Sequence, residues 1–181
     1  MLKVPLILTI GHSTRPIEDF IALLKAHGVE RLVDIRTVPR SRTNPQFNRD
    51  MLPESLKPVG IDYSHLGALG GLRHARPDSL NTGWRNTSFR GYADYMQTPE
   101  FSEAVEELME TARKQQTAIM CAEAVPWRCH RSLVADSLSA RGIHVEHIMS
   151  TTRRQPHTLT SFAKIEGKRV TYPGTERLFQ T

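Results

Sequence analysis

Two rhythms of apolar and polar positions alternate along the chain. Short apolar or alternating runs, Leu6 to Ile10, Arg31 to Arg36, Ile61 to Leu66, Ala118 to Cys121 and Ile143 to Ile148, have the length of strands. Between them the apolar spacing widens to three and four. Ile17, Phe20, Ile21 and Leu24 lead up to Gly28; Leu52, Leu56 and Val59 lead up to Gly60. Phe101, Val105, Leu108 and Ala112 follow Thr98-Pro99, and Ser132 to Arg141 is closed by Gly142. Such spacing gathers apolar side chains on one helix face, with Ser13 or Thr14 able to cap the first helix. Tyr92, Tyr95 and Met96 suggest one further short helix.

Strands alternating with helices predict βαβ units. The expected fold is α/β, a mostly parallel sheet of about five strands flanked by helices, a Rossmann-like three-layer sandwich. Residues 1–150 would form this single domain. Residues 151–181, with Arg153, Arg154, Lys164, Lys168, Arg169 and Arg177, would be a basic extension that packs on it or is partly mobile. Residues 67–90, broken by Gly67, Gly70, Gly71, Pro77 and Gly83, read as a long loop, with Arg73 and Trp84 as candidate lid residues.

Composition adds modest constraints. The 181 residues suffice to bury a full core, and a net charge of +5 carried mainly by arginine favours an anionic partner. Two cysteines eight positions apart make no disulfide framework, so a reducing cytoplasm is the expected location. The N-terminal apolar run Met1 to Ile10 is short, interrupted by Pro5 and without a cleavage site, so it reads as the first strand rather than a signal peptide. No run approaches the length of a membrane span, and no membrane partner is expected.

Chemistry concentrates in Cys121-Ala-Glu-Ala-Val-Pro-Trp-Arg-Cys-His-Arg131, between the fourth strand and its helix. In open parallel sheets ligands bind at the carboxyl ends of the strands, close to helix N-termini. That rule gathers His12, Ser13, Asp34, Arg36, His65 and Arg131 as candidate ligand- or phosphate-binding residues, around Glu123, Cys129 and His130 as candidate catalytic ones. A helix N-terminus with neighbouring arginines favours a thiolate at Cys129. Each residue also has a plainer role: Cys129 and Cys121 as packing residues, His130 as a polar contact, Glu123 as a clamp on Arg131 or Arg36, and Asp34 as the partner of Arg36. Cys-x7-Cys-His matches no standard zinc spacing, so a metal is not favoured and the cofactor stays open. Arg31, Arg36, Arg40, Arg42, Arg49, Arg73, Arg76, Arg85 and Arg90, interleaved with Phe47, Tyr63, Trp84, Phe89 and Tyr92, suit single-stranded or flipped-out nucleic acid, or a solvated face over ordinary core aromatics.

Several blocks occur in order: Thr9-Ile-Gly-His-Ser13, Leu32-Val-Asp-Ile-Arg36, Pro45-Gln-Phe47, Gly60-Ile-Asp-Tyr63, Leu69-Gly-Gly71 and Cys121-Ala-Glu123 with Cys129-His-Arg131. Over roughly residues 7 to 150 the chain resembles the bacterial and archaeal family known as domain of unknown function 488. The resemblance implies an α/β sandwich with its site at the Cys-Ala-Glu…Cys-His-Arg turn, and some relatives carry labels connected with DNA repair.

Three functions stay open from these readings. One is a cytosolic protein binding a phosphate-bearing ligand, nucleic acid or nucleotide, with hydrolysis of a glycosidic or phosphoester bond by Glu123 and His130 as the chemistry it would allow. Another is a non-catalytic nucleic-acid-binding or regulatory module. The third is a small-molecule enzyme using Cys129 or a bound metal. Oligomeric state is not legible.

Overall fold

The computed structural model of the chain describes residues 5–175. Residues 1–4 of the N-terminal apolar run and 176–181 of the basic extension, Arg177 among them, lie outside the described residues. The chain runs β1 (Leu6–Gly11), α1 (Ile17–Ala26), β2 (Arg31–Asp34), α2 (Leu52–Leu56), β3 (Asp62–His65), α3 (Thr87–Tyr95), α4 (Pro99–Lys114), β4 (Thr117–Cys121), α5 (Arg131–Ala140) and β5 (His144–Ile148). After these come β6 (Arg154–Pro156), β7 (Lys164–Glu166) and β8 (Arg169–Thr171). Strands order as β3-β2-β4-β1-β5-β6, the first five parallel and β6 antiparallel on β5.

Alternation along the strands divides the core in two. Leu8, Ile10, Leu32, Ala118 and Met120 face Phe20, Leu23 and Leu24 of α1 and Leu52 and Leu56 of α2. Ile7, Val33, Ile119 and Cys121 face the other way, into a larger core with residues of α3, α4 and α5. The fold is thus the expected three-layer α/β arrangement. β1 and β4 are neighbours, with Gly11 opposite Cys121 in register, yet the helices that follow them lie on opposite faces. Their departing loops therefore diverge and leave a crevice at the carboxyl ends, the switch point where open α/β sheets hold ligands.

Two elements differ from the sequence expectation. Asn86 caps α3 by accepting from Ser88 N and Phe89 N, so that helix begins one and a half turns before Tyr92 and takes up the end of the long loop. The segment after residue 150 adds an edge strand and a β7–β8 hairpin, and its Val170 and Tyr172 join the larger core.

That tail explains why α5 buries polar residues as well as leucines. Asp136 is fully buried and accepts from His157 Nε2 (2.8 Å), Thr160 Oγ1 (2.7 Å), Thr160 N (3.1 Å) and Tyr172 Oη (2.8 Å), all from the tail. The chain of bonds continues: His157 Nδ1 lies 3.0 Å from His147 Nε2, and His147 Nδ1 lies 2.5 Å from Thr9 Oγ1. With Asp136 accepting, His157 carries its proton on Nε2, His147 donates from Nε2, and Thr9 donates to His147 Nδ1.

His147 is consequently neutral and buried, and burial, assisted by the neighbouring His157 and Arg131, pushes its pKa down to about 3. His130 is held down to about 4, again chiefly by burial. An unfolded chain takes up protons on these rings as pH falls through 6.5 while the folded chain does not, so falling pH favours unfolding. The free energy of unfolding should therefore drop between pH 6.5 and about 4, by up to about 1.4 kcal/mol per pH unit for each such histidine. His147→Gln should flatten that slope in urea titrations across the range. An unchanged slope would mean that His147 is not held neutral.

Candidate active-site cavity

A cavity of about 740 Å³ opens at the crevice between β1, β2 and β4. His12 and Ser13 line it from the turn after β1, Arg36 and Arg40 from the segment after β2, and Glu123 and Arg128 from the turn after β4. Cys121, Cys129 and His130 lie deeper, and Phe89 and Tyr92 of α3 form the far wall with Gly71 and Leu72. Of the residues expected there from sequence, His12, Ser13, Arg36, Glu123, Cys129 and His130 are brought together.

The β4–α5 turn owes its shape to Arg131. The side chain is 1% exposed, and its guanidinium donates to the Glu123 and Ala124 carbonyl oxygens and, at 3.0 Å, to Cys121 Sγ. No carboxylate pairs with it among the described residues. Burial pulls its pKa down to about 10, opposed by the charge of Glu123, so the group is still a cation at neutral pH. Arg131 is therefore not a lining residue of the cavity. It holds the turn from beneath, where a phosphate-binding role had been expected.

Gly11 completes that arrangement: a Cβ there would stand 1.8 Å from Glu123 O and 2.7 Å from Arg131 Nη1. Only glycine allows the β4 turn to cross so closely over the end of β1.

The two cysteines come together above this clamp. The strand end and the helix start fold back on each other and bring the sulfurs of Cys121 and Cys129 into contact, which their spacing in sequence did not indicate. Sequence separation carried no information about that return of the chain. Their Cα atoms are 7.4 Å apart, wider than bridged cysteines usually stand, which suits two thiols in contact at least as well as a bond. Arg131 N–H also approaches Cys129 Sγ at 3.5 Å from the start of α5. As thiols, both sulfurs would have donors that favour the anion.

His130 is fixed by two contacts. Its Nε2 lies 3.0 Å from Ile35 O; a carbonyl only accepts, so the proton sits on Nε2. Bare Nδ1 then faces Cys129 Sγ at 3.5 Å. With its pKa near 4 the ring is an unprotonated base throughout the neutral range. Neither nitrogen is hydrogen-bonded to Glu123, so any acid and base roles of the two would be exercised separately. Glu123 itself is exposed at the rim and makes no ion pair among the described residues.

Arg36 is held by Asp34 through two bonds, Nε to Oδ1 at 2.9 Å and Nη2 to Oδ2 at 2.7 Å, while Nη2 also donates to Phe47 O. Tyr63 Oη donates to the same carboxylate, and burial together with that bond raises the Tyr63 pKa. Asp34 is wholly buried and does not line the cavity. His12 donates from Nδ1 to Ser13 O, stacks on Phe47 at 4.4 Å, and offers Nε2 to Arg36 Nη1 at 3.4 Å; burial lowers its pKa. His65 donates to Arg36 O and stands outside the cavity.

The two expected lid residues are placed elsewhere. Arg73 lies 3.7 Å over the Tyr95 ring, and Trp84 stacks on Phe89 beside Phe162 and Tyr172. The segment that does line the cavity there is Gly71 and Leu72, with Asn86 and Ser88. Arg40, Ser41, Thr43 and Asn44 were also missed, although they follow β2 at the carboxyl edge and the same rule that found Arg36 covers them. Among the described residues no group of three His, Cys, Asp or Glu side chains is disposed to hold a metal, and no helix is long and apolar enough to cross a membrane.

Residues 16–138 match the family described as Domain of unknown function DUF488, and the chain belongs to that family. The match contains Glu123, Cys129, His130 and Arg131, and begins after His12 and Ser13. Neither the curated proteins nor the solved structures compared with the chain gave a match.

If Arg131 is the clamp, its loss leaves two carbonyls and a sulfur facing an empty space. Arg131→Met should lower the free energy of unfolding by roughly 3–5 kcal/mol in urea titrations, the range for breaking a buried charged network. A loss below about 1 kcal/mol would contradict the clamp.

Proposed function

We propose that the chain binds a phosphate-bearing ligand, a nucleotide or single-stranded nucleic acid, in the switch-point cavity, and that Cys129, activated by His130, reacts with it. The observation that carries the chemical half is the fixed Nδ1 of His130 on Cys129 Sγ, with Ile35 O orienting the ring as the third member of a nucleophile–base–orienter series. The binding half is supported by Arg36, Arg40 and Arg128 along the cavity, set among hydroxyl and amide side chains.

The reaction this arrangement suits is a two-step hydrolysis in the dithiol form. Cys129 Sγ attacks phosphorus or an anomeric carbon while its proton passes to His130 Nδ1. The bond to the leaving group breaks, an oxygen at phosphorus or the base nitrogen at an anomeric carbon, and that atom takes a proton from Glu123 at the rim. Water then displaces the sulfur: its hydroxyl stays on the product, its other proton goes to Glu123, and the released thiolate recovers its proton from His130. A reducing cytosol would keep the pair in the dithiol state, and nucleic-acid repair is one setting for such chemistry.

Two measurements test the halves separately. In the reduced protein, iodoacetamide followed by mass spectrometry should modify Cys129 near neutral pH, with His130→Gln slowing it at least tenfold. Equal rates would remove His130 as the base. In anisotropy titrations of a single-stranded oligonucleotide, Arg128→Ala should weaken binding and lower the salt slope by about one, while Cys129→Ser should leave affinity unchanged. Binding that ignores Arg128 would remove the phosphate from this cavity.

A further inference from the structure

A second cavity, of about 370 Å³, lies on the other side of the same turn, between α5 and the tail. Its walls include Trp84, Trp127, His147, His157, Pro126 and Pro156. Among the described residues no Asp, Glu, Lys or Arg lines it. Both imidazoles there have every ring nitrogen committed to the series from Thr9 to Asp136, so they offer only faces and edges.

Two features are unexplained by the fold. Trp127 is 61% exposed on the rim, although a side chain of that size usually buries most of its surface. The indole Nε1–H of Trp84 is buried without an acceptor, a state that costs free energy unless something accepts from it.

The occupant these walls suit is a neutral planar ring with polar groups on its edge. Trp127 supplies a stacking face, and the side chains of Gln155 and Thr158 line the same cavity with polar groups. The single-turn helix Pro126–Arg128 separates the two cavities: Arg128 lines the charged one and Trp127 the neutral one. A ligand with phosphate in the first and a heterocyclic ring in the second would lie across that turn.

We infer that the second cavity is a base-binding subsite, receiving one unstacked nucleobase of a nucleotide or single strand whose phosphate occupies the first. The inference rests on the phosphate reading of the first cavity and adds the part of the ligand that cavity does not explain. Stacking on an indole is tolerant of base identity, so the subsite selects for a base being present rather than for its sequence.

The test compares two fluorescent strands of equal length, an ordinary single-stranded oligonucleotide and an abasic one, by anisotropy with the full chain. Trp127→Ala should weaken the ordinary strand about tenfold and leave the abasic strand unchanged. The variant's thermal midpoint is recorded beside the wild type. Should abasic and ordinary strands bind equally, or Trp127→Ala leave both unchanged, the base subsite falls while the phosphate reading stands. If neither strand binds, both readings fall together.

Discussion

The site depends on a buried cation that has no carboxylate partner among the described residues. Desolvating a guanidinium costs several kcal/mol, and the usual remedy is an ion pair. Arg131 instead meets two backbone carbonyls and the Cys121 sulfur. Those acceptors can reach it only if residues 121–124 curl over the end of β1, which in turn requires Gly11 to have no side chain. The conformation of the reactive turn and the ionisation of a residue beneath it are therefore one constraint. It also bears on the sulfur: a guanidinium 3.0 Å from Cys121 Sγ is better matched by a thiolate than by a thiol.

The crevice follows from topology, whereas its content follows from that clamp. Because α1 and α5 pack on opposite faces, the loops after β1 and β4 part and leave space. What fills the edges of the space is the Arg128 side of the turn, the segment after β2, and α3 with the chain before it. Arg36 reaches the cavity already neutralised by Asp34, so the net positive character comes from Arg40 and Arg128, which are exposed and free to move toward an anion. Glu123, exposed at the rim, places one negative charge beside them.

Periodicity made the layers legible, and the carboxyl-edge rule made the location of the site legible before any contact was known. Roles were harder to read, because they depend on where a side chain's hydrogen bonds end. Arg131 looked like a phosphate ligand in sequence, since an arginine at a helix N-terminus can face either the ligand or the core. Asp136 looked like one more polar position on an amphipathic helix, but the tail brings His157, Thr160 and Tyr172 onto it, contacts 21 or more residues away that no local pattern encodes. Trp84 and Arg73 sat in a glycine-rich stretch that suggested mobility. Aromatic stacking and the Asp94 bonds to Arg76 N, Ser79 and Asn81 pin that stretch to the domain instead.

Three histidines show how the same side chain takes different parts according to its partners. Burial holds His130 and His147 neutral, yet His147 and His157 have no nitrogen left to offer: each donates forward along the series that ends at Asp136. His130 has its donor taken by Ile35 O, and its Nδ1 faces sulfur. Burial lowers the affinity of a ring for protons, and only the ring with an unspent acceptor can use that to receive one briefly and release it. The distribution of committed donors, more than proximity to the cavity or residue type, separates the one histidine suited to chemistry from the two that hold the tail in place.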